Sequence, residues 1–216
     1  MITLFIIIVE NVLIFFLYIK PSMFNSKIEL FRVNRTVVQM LEDRGYQVPL
    51  RYDKFDEFND VNEADLEQTA VHKQNPKLTC AIFWCNEQLN VSQLKLIVDR
   101  MKNMNNKHSI VILQNDITDK AKSVISELSE KIEYFKRAEL IINITRHVLM
   151  PQHFILNDNQ KQDLLNFYLL KNESQLPKML VSDPIAKYYG AHKGQIMMIS
   201  RTSDQGIDYI GYRCIV

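Results

Sequence analysis

The feature that most restricts the fold is a pair of short, unbroken apolar runs, LTCAIFWC at 78–85 and SIVILQ at 109–114, separated by the stretch VSQLKLIVDRMKNM at 91–104. A strand without polar alternation needs cover on both faces, as parallel strands joined by helical crossovers provide. Leu94, Ile97, Val98 and Met101 mark one face of the intervening helix. Residues 118–128 read as another helix and ELIINIT at 139–145 as a further strand. The expectation for 25–145 is an α/β domain with parallel pairing and right-handed crossovers.

Before this layer, Ser26 and Glu29 form a capping box, and Phe31, Val37, Val38, Met40 and Leu41 recur at helical spacing until Gly45. A helix of about 18 residues is expected there. Nine acidic residues between Glu42 and Glu67 face only Arg44, Arg51 and Lys54. That run reads as a solvated acidic stretch that avoids DNA, with loops or a short helix near 63–70.

The texture changes after Pro151. Asn157 or Asp158 can cap a helix with Leu164, Leu165, Tyr168 and Leu169 on one side. Asp183 followed by Pro184 starts a short helix that Gly190 ends. Residues 195–200 and 207–215 read as two strands joined by Ser203, Asp204, Gln205 and Gly206. A second, α+β domain with a small mixed sheet is expected over 146–216.

Residues 1–24 stand apart. Fourteen Ile, Leu, Val and Phe residues lie between Ile2 and Ile19, each favouring membrane insertion by roughly 0.3–0.6 kcal/mol, while Glu10 opposes it by about 3 kcal/mol. Without a basic start or a small-residue cleavage site, a signal peptide is not expected. Three readings stay open: an upstream translation start with the protein beginning near Met23, an anchoring helix, or an ordinary buried helix.

The chemistry-bearing patterns are sparse. A net charge of +1 gives no overall pull toward nucleic acid or anionic membranes. Cys80, Cys85 and Cys214 are too few for a disulfide framework, and the first two, an odd number of residues apart on one strand, face opposite sides and share no metal. Glycine-rich phosphate loops and GxSxG elbows do not occur. His147 and His153 lack two further zinc ligands nearby and are expected to be structural. The basic residues Lys95, Arg100, Lys102 and Lys107 read as a solvated helix face. A nuclease-like DNA-processing protein is the rival reading for the α/β half, yet no acidic residue has lysine two positions later, so metal-dependent cleavage has no evident residues. No cofactor is expected.

The words RHVLMPQHFIL, SQLPKMLVSDPIAKYYGAHKGQIMMISRTS and YIGYRCIV, in this order over 146–216, resemble the small subunit shared by the three eukaryotic nuclear RNA polymerases, subunit five, and its archaeal counterpart. Upstream, ELFRVNRTVVQMLEDRGYQV, LQNDITDKAKS and LIINITRH are similar to the eukaryotic form, which has an N-terminal half that the archaeal one lacks. The likeness runs from about Ser26 to Val216.

That resemblance implies a non-catalytic polymerase subunit with two parts. One is an N-terminal jaw with a nuclease-like α/β fold beside downstream duplex DNA; the other is a C-terminal assembly domain docked on the largest subunit. Other polymerase subunits and transcription factors are implied partners, and a membrane partner is not expected. The assembly motif falls on Pro151, His153, Gln175, Leu176, Pro177, Asp183, Pro184, Gly190, Lys193, Gly194, Gln195 and Arg213, most of them shaping turns. Asn115, Thr118 and Lys120 fall on the DNA-proximal loop, although Thr118-Asp119-Lys120-Ala121 stands where the family usually shows Thr-Pro-Ser-Ala. Seventeen asparagines with abundant Ile and Lys fit an AT-rich genome. The implied place of work is the nucleus for a cellular source, or a virion or cytoplasmic factory for a large DNA virus.

Overall fold

The computed structural model describes residues 26–58, 60–202, 206 and 208–216. The apolar leader at 1–24 and the turn residues Ser203, Asp204 and Gln205 lie outside them. Contacts divide the described residues into two units: one holds residues up to Val38 with Val48–Ala70 and Leu78–Ile141, the other Gln39–Gln47, Val71–Lys77 and Ile142–Val216. A boundary at 145, as the sequence suggests, would give the second unit only the residues after it. The unit also takes in 39–47 and 71–77, because side-chain and backbone bonds from Arg44 and Gly45 end on residues of that unit.

The strands form two sheets, ordered β1-β2-β3-β4-β5 and β6-β8-β9-β7. In the first unit β3 (Thr79–Cys85), β4 (His108–Leu113) and β5 (Lys131–Lys136) are parallel. Helix α1 (Ser26–Asp43) spans 18 residues; since Ser26 is its first helical residue, its cap position falls on residue 25, outside the described residues. Asn90 caps α3 (Val91–Asn103), its side chain accepting from the Gln93 N–H. Between them lie β1 (Tyr46–Gln47), α2 (Phe55–Phe58), a 3-10 turn at Glu63–Leu66 and β2 (Gln68–His72). The 63–70 segment is thus half turn, half strand.

Leu94, Ile97, Val98 and Met101 of α3 pack with Ala81 and Phe83 of β3 and Val111 and Leu113 of β4. On the opposite face Trp84 packs against Leu30, Phe58 and Leu66. Burial on both faces is what the unbroken apolar runs require, at about 1.5–3 kcal/mol for each fully buried side chain.

One expectation fails at the end of this unit, and one strand goes unannounced. Residues 139–145 are not a strand: Arg137–Leu140 is a one-turn helix, α5, and Asn143 caps a 3-10 turn at Ile144–Arg146 through its side chain. The third parallel strand is instead Lys131–Lys136, whose charged residues 131, 133 and 136 conceal the buried Ile132 and Phe135.

The second unit is built on β6 (Gln152–Ile155), β7 (Lys178–Met179), β8 (Ile196–Thr202) and β9 (Asp208–Ile215), with α6 (Asp158–Phe167) and α7 (Pro184–Tyr188). Its sheet is mixed: β6–β8 and β8–β9 are antiparallel, β7–β9 parallel. Its core gathers Met179, Ile185, Ala186, Ala191, Met197, Ile199 and Ile215. Asn157 caps α6, where Leu164 and Leu165 are buried, but Tyr168 and Leu169 do not join them: the helix ends at Phe167, Tyr168 is half exposed and Leu169 projects into solvent.

Candidate docking site

Helix α7 owes its position to local chemistry at both ends. The Asp183 carboxylate accepts the Ile185 N–H at 2.9 Å and Pro184 occupies the first helical position, where no N–H is missed. At the other end the Arg44 guanidinium donates to the Tyr188 and Lys187 carbonyls at 2.8 and 2.7 Å, satisfying acceptors a helix terminus leaves open. Gly190 follows at φ +64°, and a Cβ there would stand 3.0 Å from that guanidinium.

The other motif residues close turns. Gln175 accepts the Lys171 N–H at 2.7 Å through its side chain, and the Leu176 N–H reaches the Glu173 carbonyl. The Pro177 carbonyl takes the Cys214 N–H at 2.8 Å. Gly194, at φ +84°, donates to the Ile215 carbonyl and accepts Lys161 Nζ at 2.8 Å, while the Gln195 side chain accepts the His192 N–H at 2.7 Å. Lys193 is exposed at the tip of that turn.

Charged and polar groups border the core residues Met197 and Ile199 on one sheet face. Opposed residues of an antiparallel ladder share a face, and His153 pairs with Ile199, Gly211 with Ile199, Arg213 with Met197 and Arg201 with Tyr209. His153 Nδ1 lies 2.8 Å from the Pro151 carbonyl, so this nitrogen carries the proton and donates. Burial pushes the His153 imidazole below the usual histidine value; the hydrogen bond and the charge of Asp183 oppose this, and the charges of Arg201 and Arg213 add to it. Pro151, His153, Asp183 and Arg213 therefore converge, whereas Gln175, Pro177 and Lys193 are dispersed over loops. Arg201 is not singled out by the sequence, because one arginine near a hairpin reads as solvated; only the register places it.

The opposite sheet face carries polar residues such as Ser200 and Thr202 together with an aromatic cluster. Phe154, Met198 and Tyr212 are cross-strand neighbours there, and Tyr168 meets Tyr212 edge-on at 6.1 Å between ring centroids. Phe167 and Leu169 beside it are 80% and 89% exposed, an apolar tip of the kind that marks contact surfaces.

In the first unit the predicted loop lies at the carboxyl end of β4, where open α/β sheets bind ligands. Asn115 donates to the Asn86 carbonyl at 2.8 Å, Thr118 caps α4 (Asp119–Glu127) by accepting the Ala121 N–H at 3.3 Å, and Lys120 is exposed on that helix. Behind the loop the buried Arg137 pairs with Glu63 at 3.1 Å, bonds Asn86 and stacks on Trp84 at 5.6 Å. Asn115, Thr118 and Lys120 thus share one rim, braced by a residue that no sequence pattern picks out. Among the described residues no group of three or more His, Cys, Asp or Glu side chains could hold a metal, and no helix is long and apolar enough to cross a membrane.

Two family models match the chain: "RNA polymerase Rpb5, N-terminal domain" over residues 25–101 and "RNA polymerase Rpb5, C-terminal domain" over 142–215. Among curated proteins, the Dictyostelium discoideum "DNA-directed RNA polymerases I, II, and III subunit rpabc1" is 35% identical over 192 residues, covering 87% of this chain and 97% of that protein. The Caenorhabditis elegans RPABC1 is 34% identical with 87% and 95% covered, and the Arabidopsis thaliana "DNA-directed RNA polymerase subunit 5-like protein 1" is 35% identical with the same coverage.

Proposed function

The chain belongs to the Rpb5 family, non-catalytic subunits of DNA-directed RNA polymerases, and from that premise we propose that its second unit docks on the largest subunit while its first unit forms a nuclease-like jaw beside downstream DNA. The observation that carries the docking half is the cluster of motif residues around His153: Arg213 on the same sheet face, the Pro151 carbonyl it donates to, and Asp183 at the start of a helix fixed at both ends. A surface braced in this way meets a partner with little ordering cost. The apolar tip at Phe167 and Leu169 supports a second line of contact within the same unit.

The jaw half rests on the rim of Asn115, Thr118 and Lys120. With Asp116 and Asp119 nearby and Lys136 already paired with Asp116, that rim carries little net positive charge, so any approach to DNA is weak and held by the complex rather than by the loop itself. Transcription factors are further partners of this half. The rival reading, a nuclease-like DNA-processing protein, is not favoured, since relatives match over nearly their full length under polymerase-subunit names. These relatives are eukaryotic, which supports the nucleus as the place of work.

Chemical cross-linking of the assembled polymerase tests the docking half. Lys178, Lys187 and Lys193 should cross-link to the largest subunit. Cross-links from all three to other subunits alone would reject it.

A further inference from the structure

The sheet face that carries His153 holds a feature that turn-shaping does not explain. Arg201 on β8 and Arg213 on β9 lie on the same side of the sheet, with Gly211 between them in register. Along β9 the position opposite Arg201 and Arg213 itself are four residues apart, about 13 Å at strand rise. Both guanidinium charges act on His153 of the same face. Gly211 leaves room between them: a Cβ built on it would meet nothing within 4 Å. Among the described residues neither guanidinium has a hydrogen-bond or ion-pair partner.

We propose that Arg201 and Arg213 form a clamp over Gly211 that takes the carboxylates of an acidic segment on a polymerase partner subunit. This rests on the docking reading above and adds its chemistry. A guanidinium presents a planar fork that binds a carboxylate through two parallel hydrogen bonds, and it loses less hydration than an ammonium on entering an interface. The neighbours fit a protein partner: Tyr209, opposite Arg201, is half exposed, and Arg and Tyr are the residues enriched where proteins meet. A nucleic-acid backbone fits less well, since affinity for it accumulates over many phosphate contacts and Asp183 stands close to the same face. His153, two strands from Gly211 on the same face, donates to the Pro151 carbonyl, and burial lowers its pKa.

The test uses the full-length, 15N-labelled protein and three probes: a terminally blocked hexaglutamate peptide, its hexaglutamine counterpart, and a 20-base-pair DNA duplex at matched ionic strength. Hexaglutamate should shift the Nε–Hε resonances of Arg201 and Arg213 saturably and hexaglutamine should not. R201Q and R213Q should each weaken binding at least fivefold, and R213K, which keeps the charge but loses the fork, at least threefold. Because neither arginine has a partner among the described residues, the glutamine variants should unfold at the wild-type temperature; if they do not fold, R201K and R213K carry the same comparison. Silent arginine resonances with hexaglutamate, or larger shifts of the same two resonances with the duplex, overturn the proposal. In cells, recovery of the large polymerase subunits by the wild type and equally by the R201Q/R213Q double variant also overturns it while leaving docking intact. Failure of the wild type itself to recover them counts against the docking reading instead.

Discussion

The Tyr188 hydroxyl donates to the Asp43 carboxylate at 2.7 Å, joining two residues of the second unit that stand 145 apart in the chain. The Asn143 amide donates to the same hydroxyl at 3.1 Å and to the Gln39 side chain at 2.8 Å, and Arg146 pairs with Asp43 at 2.7 Å. This network draws 39–47 into the C-terminal unit.

Burial raises the Tyr188 phenol well above the ordinary tyrosine value of 10.0, with the Asp43 charge contributing, and Tyr189 is raised for the same two reasons. The folded state therefore keeps its proton where the unfolded chain releases it, so stability is intact below pH 10 and falls as pH climbs past it. Thermal unfolding between pH 8.5 and 11 should show this decline in the wild type and a shallower one in Y188F. At pH 7 the same variant should lose about 1–2 kcal/mol for the missing hydrogen bond.

Gly190 and Gly206 both sit at positive φ, +64° and +76°, but only Gly190 faces an obstacle. Alanine at either position carries a conformational cost of about 1–2 kcal/mol. G190A must in addition displace the Arg44 guanidinium from the α7 carbonyls. Urea denaturation should find G190A less stable than G206A by at least about 1 kcal/mol.

Leu169 has φ +53° just past the end of α6, and the Leu170 N–H bonds back to the Leu165 carbonyl at 2.8 Å. That is the left-handed helix stop at which glycine is preferred. With its side chain 89% exposed, little packing offsets the strain. L169G should raise stability by about 0.5–1 kcal/mol in urea denaturation.

Arg137 is 8% exposed and its Nε has no partner, while its terminal nitrogen bonds Glu63 and Asn86. Removing it in R137M breaks a largely buried pair but leaves Glu63 reachable by water. A loss of about 2 kcal/mol is expected. Trp84, the chain's single tryptophan, lies under this guanidinium, so its fluorescence reports unfolding of the first unit directly.

Legibility in the sequence follows the range of the forces involved. Asp183, Pro184 and Gly190 announce a helix start and stop because capping is a matter of three or four neighbouring residues. The strands at 79–85 and 108–113 are visible because burial on both faces leaves an apolar run. Lys131–Lys136 is hidden for the opposite reason: as the last strand of its sheet it keeps charges at 131, 133 and 136. The apolar 139–145 segment misleads because Asn143 turns the chain into a 3-10 cap before a strand can form. The placing of Arg201 and Arg213 on one sheet face depends on hairpin register, and the Arg137 brace on contacts more than fifty residues distant; neither leaves a local mark.

Membership of a polymerase is the claim on which the rest depends. Affinity purification of the tagged chain from its native cells, followed by quantitative mass spectrometry, measures it directly. Both large RNA polymerase subunits should be recovered in near-equal amounts with the tagged chain. Recovery of the chain free of any large polymerase subunit would contradict it.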